Sequence, residues 1–226
     1  MLKLAIYKSK TTISLQMTCT IQTSLYNKPK LINNMIMVTK IKQNVKERIM
    51  ATAAKLFYFK GYNQTGINQI ISEAKVAKAS MYQHFRSKQD IAVAYLQDRH
   101  EMWMNMLFDF VATKETGKEK LLASFDFLDY WLNDVGFRGC GFQNIITDLP
   151  KEQIKIPEVV VFHKKELTEW VKTNLSQVSN IKSNEVEPLS LEIMVLIEGA
   201  IMLAQINKNN APILAAKRTC EKILEP

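Results

Sequence analysis

Cysteine is scarce. The chain has three in 226 residues, Cys19, Cys140 and Cys220, odd in number and without a C-x-x-C pair. That argues against a disulfide framework and against a structural zinc site. Proline is absent from the whole stretch between Pro29 and Pro150, so nothing there interrupts a helix. No apolar run approaches the roughly 20 residues that span a bilayer, and Lys8 and Lys10 break the N-terminus too early for a signal-peptide core. A cytoplasmic protein without membrane association is expected. Also missing are a Ser/His/Asp or Cys/His arrangement, a phosphate-binding glycine loop and a metal motif. Gly139-Cys140-Gly141 is too short to count. The chain therefore reads as a non-enzyme with no cofactor and no metal.

What is present is a soluble-protein composition, 47% hydrophobic and 23% charged, with ample length for a buried core. The net charge of +8 is unevenly placed. Residues 1–46 hold eight Lys and no acidic residue; residues 47–90 hold seven basic and three acidic residues, giving +4; residues 91–226 hold fifteen basic and nineteen acidic, giving −4. A basic front on a mildly acidic body suggests a polyanion-binding head joined to a part with another task.

Residues 1–40 lack periodicity, are rich in Thr, Ser, Asn and Lys, and read as a disordered or extraneous extension. A basic arm tracking DNA phosphates is the alternative. From residue 41 the chain reads as helices. Val45, Ile49, Ala53, Leu56 and Phe57 recur three and four apart and predict a helix over 43–60, stopped by Gly61. Thr65 can cap a short helix ending near Ala74, a third helix spans about 78–85, and Ser87-Lys-Gln-Asp90 reads as a capping box opening a long helix to about 112. Further helices are expected at 118–134, 141–149, 157–178, 187–207 and 211–224. The fold class is all-α, about nine helices, with a head over 41–90 and a body over 91–226.

Residues 67–85 carry the sharpest signal. Two short helices about the turn Lys75-Val76-Ala77 make a helix-turn-helix, held together by Ile70, Ala74, Val76, Met81 and Phe85. Lys78, Ala79, Ser80, Gln83 and His84 are left outward, short or polar as a groove-entering helix requires. The run from Gly61-Tyr62 through Thr65, Ile67 and Ala74 to Tyr82-Gln-His84-Phe85-Arg-Ser-Lys88-Gln-Asp90-Ile91 resembles the N-terminal domain of the TetR family of bacterial regulators. The resemblance covers about residues 45–95. It implies that Lys78, Ala79, Ser80 and Gln83 face bases and that Thr65, Tyr82, His84 and Lys88 face phosphates; the charge pattern itself adds Lys75, Arg86 and Lys88 as flanking cations. The chain departs from the family pattern in the turn: Lys75 stands where Gly is usual, and Ala77 where Ser is usual.

The same resemblance assigns the body an effector pocket and a dimer surface. Candidate pocket residues are Trp103, Met106, Phe110, Phe127, Trp131, Phe142 and Trp170, aromatic or Met positions that equally suit a core. His100 and His163 fall on separate helices. The aromatic and Met content around 102–142 points to an apolar or amphipathic effector, and the body's net −4 to a cationic one. Leu189, Ile193, Leu196, Ile197, Met202 and Ile206, with Ile213, Leu214, Ala216, Cys220 and Leu224, would supply a homodimer surface on helices 187–207 and 211–224. The expected function is a ligand-responsive repressor released from a palindromic double-stranded DNA operator by a small-molecule effector. The alternative is an effector-independent, nucleoid-type DNA binder.

Overall fold

Asn44 opens the first helix among the described residues. Its side chain accepts from the backbone N–H of Glu47 at 2.9 Å, and the Glu47 carboxylate accepts in return from the N–H of Asn44 at 3.0 Å. This reciprocal capping box satisfies two otherwise orphaned donors. The helix it starts, α1 (Val45–Phe59), buries Ile49, Ala53, Leu56, Phe57 and Tyr58. It stops because Gly61 turns to φ +100°, a conformation that side chains resist. The computed structural model describes residues 43–150 and 153–225; the extension 1–40 lies outside the described residues.

Eight more helices follow: α2 (Ile67–Glu73), α3 (Lys78–His84), α4 (Lys88–Val111), α5 (Gly117–Asp134), α6 (Gly141–Thr147), α7 (Lys155–Leu175), α8 (Val186–Asn207) and α9 (Ala211–Ile223). No strand occurs among the described residues. Among the described residues, the all-α reading and the places of the nine helices agree with the sequence. The start of α2 does not. Its N-cap is Gly66, not Thr65, because the Thr65 hydroxyl donates back to the carbonyl of Gly61 at 2.7 Å.

α1 packs on α2, α3 and α4, and α4 runs unbroken across residues 90–91, so head and body share one helix. Ser87 caps it, accepting from the N–H of Asp90 at 3.1 Å. In the body α4, α5 and α7 pack mutually, and α8 and α9 close over α5 and α7. The core is aromatic and aliphatic: Phe125, Phe127, Leu121, Leu128 and Leu107 are essentially solvent-free. Truncating such a phenylalanine to Ala costs about 3–5 kcal/mol.

α8 corrects one sequence expectation. Val186–Asn207 is by length and composition apolar enough to cross a membrane, although no such run was read from the sequence. Its residues form two apolar rows. Ile193, Met194, Ile197, Ala200, Ile201 and Ala204 face inward and are buried. Leu191, Val195, Met202, Leu203 and Ile206 face outward, with Leu191 66%, Val195 64% and Ile206 65% exposed.

Candidate nucleic-acid interface

The turn between α2 and α3 takes a tight path. Ala74 ends α2, and Lys75 turns to φ +54°, the left-handed region that glycine enters more cheaply. Arg48 steadies it, donating from Nη1 to the Lys75 carbonyl at 3.3 Å. α3 then starts at Ala77, which has N-cap dihedrals but no side-chain hydrogen bond to offer. Ile70, Ala74, Met81 and Phe85 are buried between the helices, and Val76 is half-buried.

This packing fixes which side of α3 is free. Lys78, Ala79, Gln83 and His84 are exposed, Ser80 is half-buried, and Tyr82 is 42% exposed. Among the described residues, Lys78, Ser80, Tyr82, Gln83 and His84 spend no side-chain hydrogen bond or ion pair on the protein. Lys75 lies exposed at the same end. The surface thus offers an ammonium, two hydroxyls, an amide and an imidazole on one short helix, all suited to phosphate oxygens or base edges.

Two residues expected at phosphates make polar contacts within the protein. Thr65 is fully buried and its hydroxyl is taken by Gly61. Lys88 folds under the loop before α2: its Nζ donates to the carbonyls of Tyr62 at 3.1 Å and Thr65 at 3.2 Å, and lies 4.1 Å from the Tyr62 ring centre. Partial burial lowers its pKa, an effect that the Asp148 carboxylate opposes. Both residues therefore spend polar groups on the loop, Thr65 fully buried and Lys88 half-buried.

In the body a cavity lies among α4, α5, α6, α7 and α8, with Trp103, Trp131 and Phe142 as aromatic walls and Arg99, Lys164 and Glu198 as charged ones. It encloses about 290 Å³ counting its opening to solvent, but a water can centre itself in only about 10 Å³ of it, room for about one molecule. Three of the seven expected pocket residues line it: Trp103, Trp131 and Phe142. Phe127 is core beneath Trp103, at 5.2 Å between ring centres. Phe110 packs on Phe127 and Tyr130, and Met106 and Trp170 lie off the cavity, partly exposed.

His163 stacks flat on Phe142 at 3.8 Å, and burial lowers its pKa to about 2, helped by Lys164, His100 and Arg99. It is neutral at physiological pH. Tyr58 of α1 donates to the Gly139 carbonyl at 2.8 Å, and burial raises its pKa to about 12 against the opposing pull of Arg99. Arg99 was not singled out from the sequence. A signal was present: it shares a four-residue spacing with Ile91, Tyr95 and Trp103, the buried face of α4.

Comparison with known proteins is consistent with this geometry. Residues 49–95 match the model of the family described as bacterial regulatory proteins, tetR family. An uncharacterized HTH-type transcriptional regulator in the lacX 3' region of Lactococcus lactis subsp. lactis is 25% identical over 174 residues, 74% of this chain and 86% of that protein. The HTH-type transcriptional regulator LmrA of Bacillus subtilis (strain 168) is 28% identical over 173 residues, 75% of this chain and 90% of that protein. A solved TetR-family transcriptional regulator from Streptomyces coelicolor shares the fold, with a TM-score of 0.73 at 23% identity over 80% of this chain and 94% of that one.

Proposed function

The chain belongs to the tetR family of bacterial regulatory proteins, helix-turn-helix transcriptional regulators, and on that premise we propose that it is a cytoplasmic repressor released from a palindromic operator by a small-molecule effector. The observation that carries the DNA reading is the free face of α3. Lys78, Ala79, Ser80 and Gln83 meet base edges in the major groove. Tyr82 and His84 grip phosphates on either side.

A homodimer supplies the second half-site. The outward row of α8 and Leu214 of α9 are exposed apolar side chains, and clustered apolar exposure of this kind marks a protein contact. Gly199 sits in the same helix with open space over its Cα, so a second helix can approach closely there. Two copies of α8 and α9 form the interface and set two α3 helices about one helical turn or more apart.

Selection from random duplexes at near-physiological salt tests this reading. A palindrome with half-sites spaced by at least one turn is expected. Recovery of no preferred sequence, or of a single unpaired half-site, would refute it.

A further inference from the structure

Arg99 is the unmatched charge of the body. It is 3% exposed, and its enclosed Nη1 has no hydrogen-bond partner. No ion pair among the described residues includes it. Buried guanidinium groups are ordinarily paired, because a lone charge away from water is costly. What faces this one instead is a pair of tyrosines: its Cζ lies 4.1 Å from the ring centre of Tyr58 and 6.0 Å from that of Tyr95. The start of α6 leaves it just enough room, since a Cβ at Gly141 would come within 2.6 Å of its Nε.

Trp103, which lines the same cavity as Arg99, carries a second buried donor without a partner, its Nε1. Lys164 is already matched, with Glu198 at 2.6 Å. Two cations against one carboxylate leave the cavity one positive charge in excess, and neutral His163 beside it adds none. The body's net −4 pointed to a cationic guest; the cavity's own groups point the other way.

We propose that the effector is an anion, a carboxylate on an apolar, ring-sized body, whose oxygens accept from Arg99 Nη1 and Trp103 Nε1 while Trp103, Trp131 and Phe142 swing apart around the apolar part. This rests on the effector-released reading above and names the ligand class for it. The placement also supplies a link to the head. Tyr58 belongs to α1, so a guanidinium drawn towards a carboxylate leaves the Tyr58 ring, and the head loses a contact that the body had provided. One residue then both selects the ligand and transmits its arrival.

The test uses three probes of one shape and different charge: benzoate, benzamide and benzamidine. Full-length protein is first checked for retention on its selected palindrome; loss there refutes the regulator reading, whereas the ligand class is decided separately by tryptophan fluorescence of Trp103 and Trp131. Benzoate is expected to bind at least about tenfold more tightly than benzamide, with benzamidine weakest. Arg99→Met should bind benzoate and benzamide alike. Should that variant fail to fold, Trp103→Phe, which keeps the ring and removes the N–H, should narrow the benzoate preference. Equal or reversed order in the wild type, no benzoate binding at millimolar concentration, or an undiminished preference in the variants would overturn the proposal. Benzoate that binds in the expected order but does not release DNA refutes the link through Tyr58.

Discussion

His100 of α4 and His163 of α7 meet through their Nδ1 atoms at 3.0 Å, one ring donating and the other accepting. Trp103 and Phe142 crowd the same imidazole of His163 at 5.6 and 3.8 Å between ring centres. A second proton on His163 would have to enter an aromatic enclosure beside Lys164 and Arg99, which is why its pKa falls from 6.5 to about 2.

The pH dependence follows from the sign of that shift. Unfolded, His163 takes a proton near pH 6.5; folded, it does not until about pH 2. The unfolded chain binds the extra proton between those values. Stability from this residue is thus fully present above pH 6.5 and falls as pH drops, by up to about 1.4 kcal/mol per unit. A plot of Tm against pH should decline below 6.5, and His163→Phe should flatten that decline. A variant curve parallel to the wild type would contradict this account.

Lys88 should behave as a structural lysine. Lys88→Ala removes both donations into the loop at Tyr62 and Thr65 and is expected to destabilise the protein by about 1–3 kcal/mol. The slope of log Kd against log salt should stay unchanged, since no phosphate contact is lost. A slope flattened by about one, with Tm intact, would return Lys88 to the DNA.

Tyr82 and Gln83 separate affinity from specificity. Tyr82→Phe removes one exposed hydroxyl, so Tm should hold while affinity falls several-fold on every duplex. Gln83→Ala should instead change which base is preferred, by about 1–3 kcal/mol at one position of each half-site. Competition binding with single-base variants of the operator distinguishes the two.

The turn can be improved. Ala77 already has the dihedrals of an N-cap, φ −70° and ψ 143°, so Ala77→Ser adds the missing acceptor without moving the chain. A gain of about 1 kcal/mol is expected in urea unfolding. No gain would show that the N–H groups at the start of α3 are satisfied some other way.

The outward row of α8 should govern assembly. Leu203→Lys places a charge in its midst, where Leu203 is 51% exposed in the single chain. Sedimentation should then report monomers with native helix content and sharply reduced binding to a two-half-site duplex. A dimer that survives the substitution would move the interface elsewhere.

Much of this was legible in the sequence because local chemistry writes helix ends. Ser87 with Asp90, and Gly61, mark boundaries within a residue or two of where they fall. The free face of α3 was legible too, since small and polar residues alternate there with Met81 and Phe85. Long-range folding hid the rest. Thr65 and Lys88 carry groups that suit phosphate, and only the path of the loop between α1 and α2 shows them spent on backbone carbonyls. Arg99 shares the spacing of the buried face of α4, but its charge gave no sign of burial on its own. On α8 both rows are apolar, so no periodicity could separate the core row from the outward one.

α6 has a consequence of its own. It is seven residues long, about 10 Å from end to end. Phe142 at one end walls the cavity, and Asp148 just past the other holds Asn63 of the head, accepting its backbone N–H at 2.8 Å and its side-chain amide as well. One residue added or removed between them would turn Asp148 by about 100° relative to Phe142. The spacing of these two residues should therefore tolerate substitution far better than any change in length, and relatives that differ freely in sequence here should share the same count.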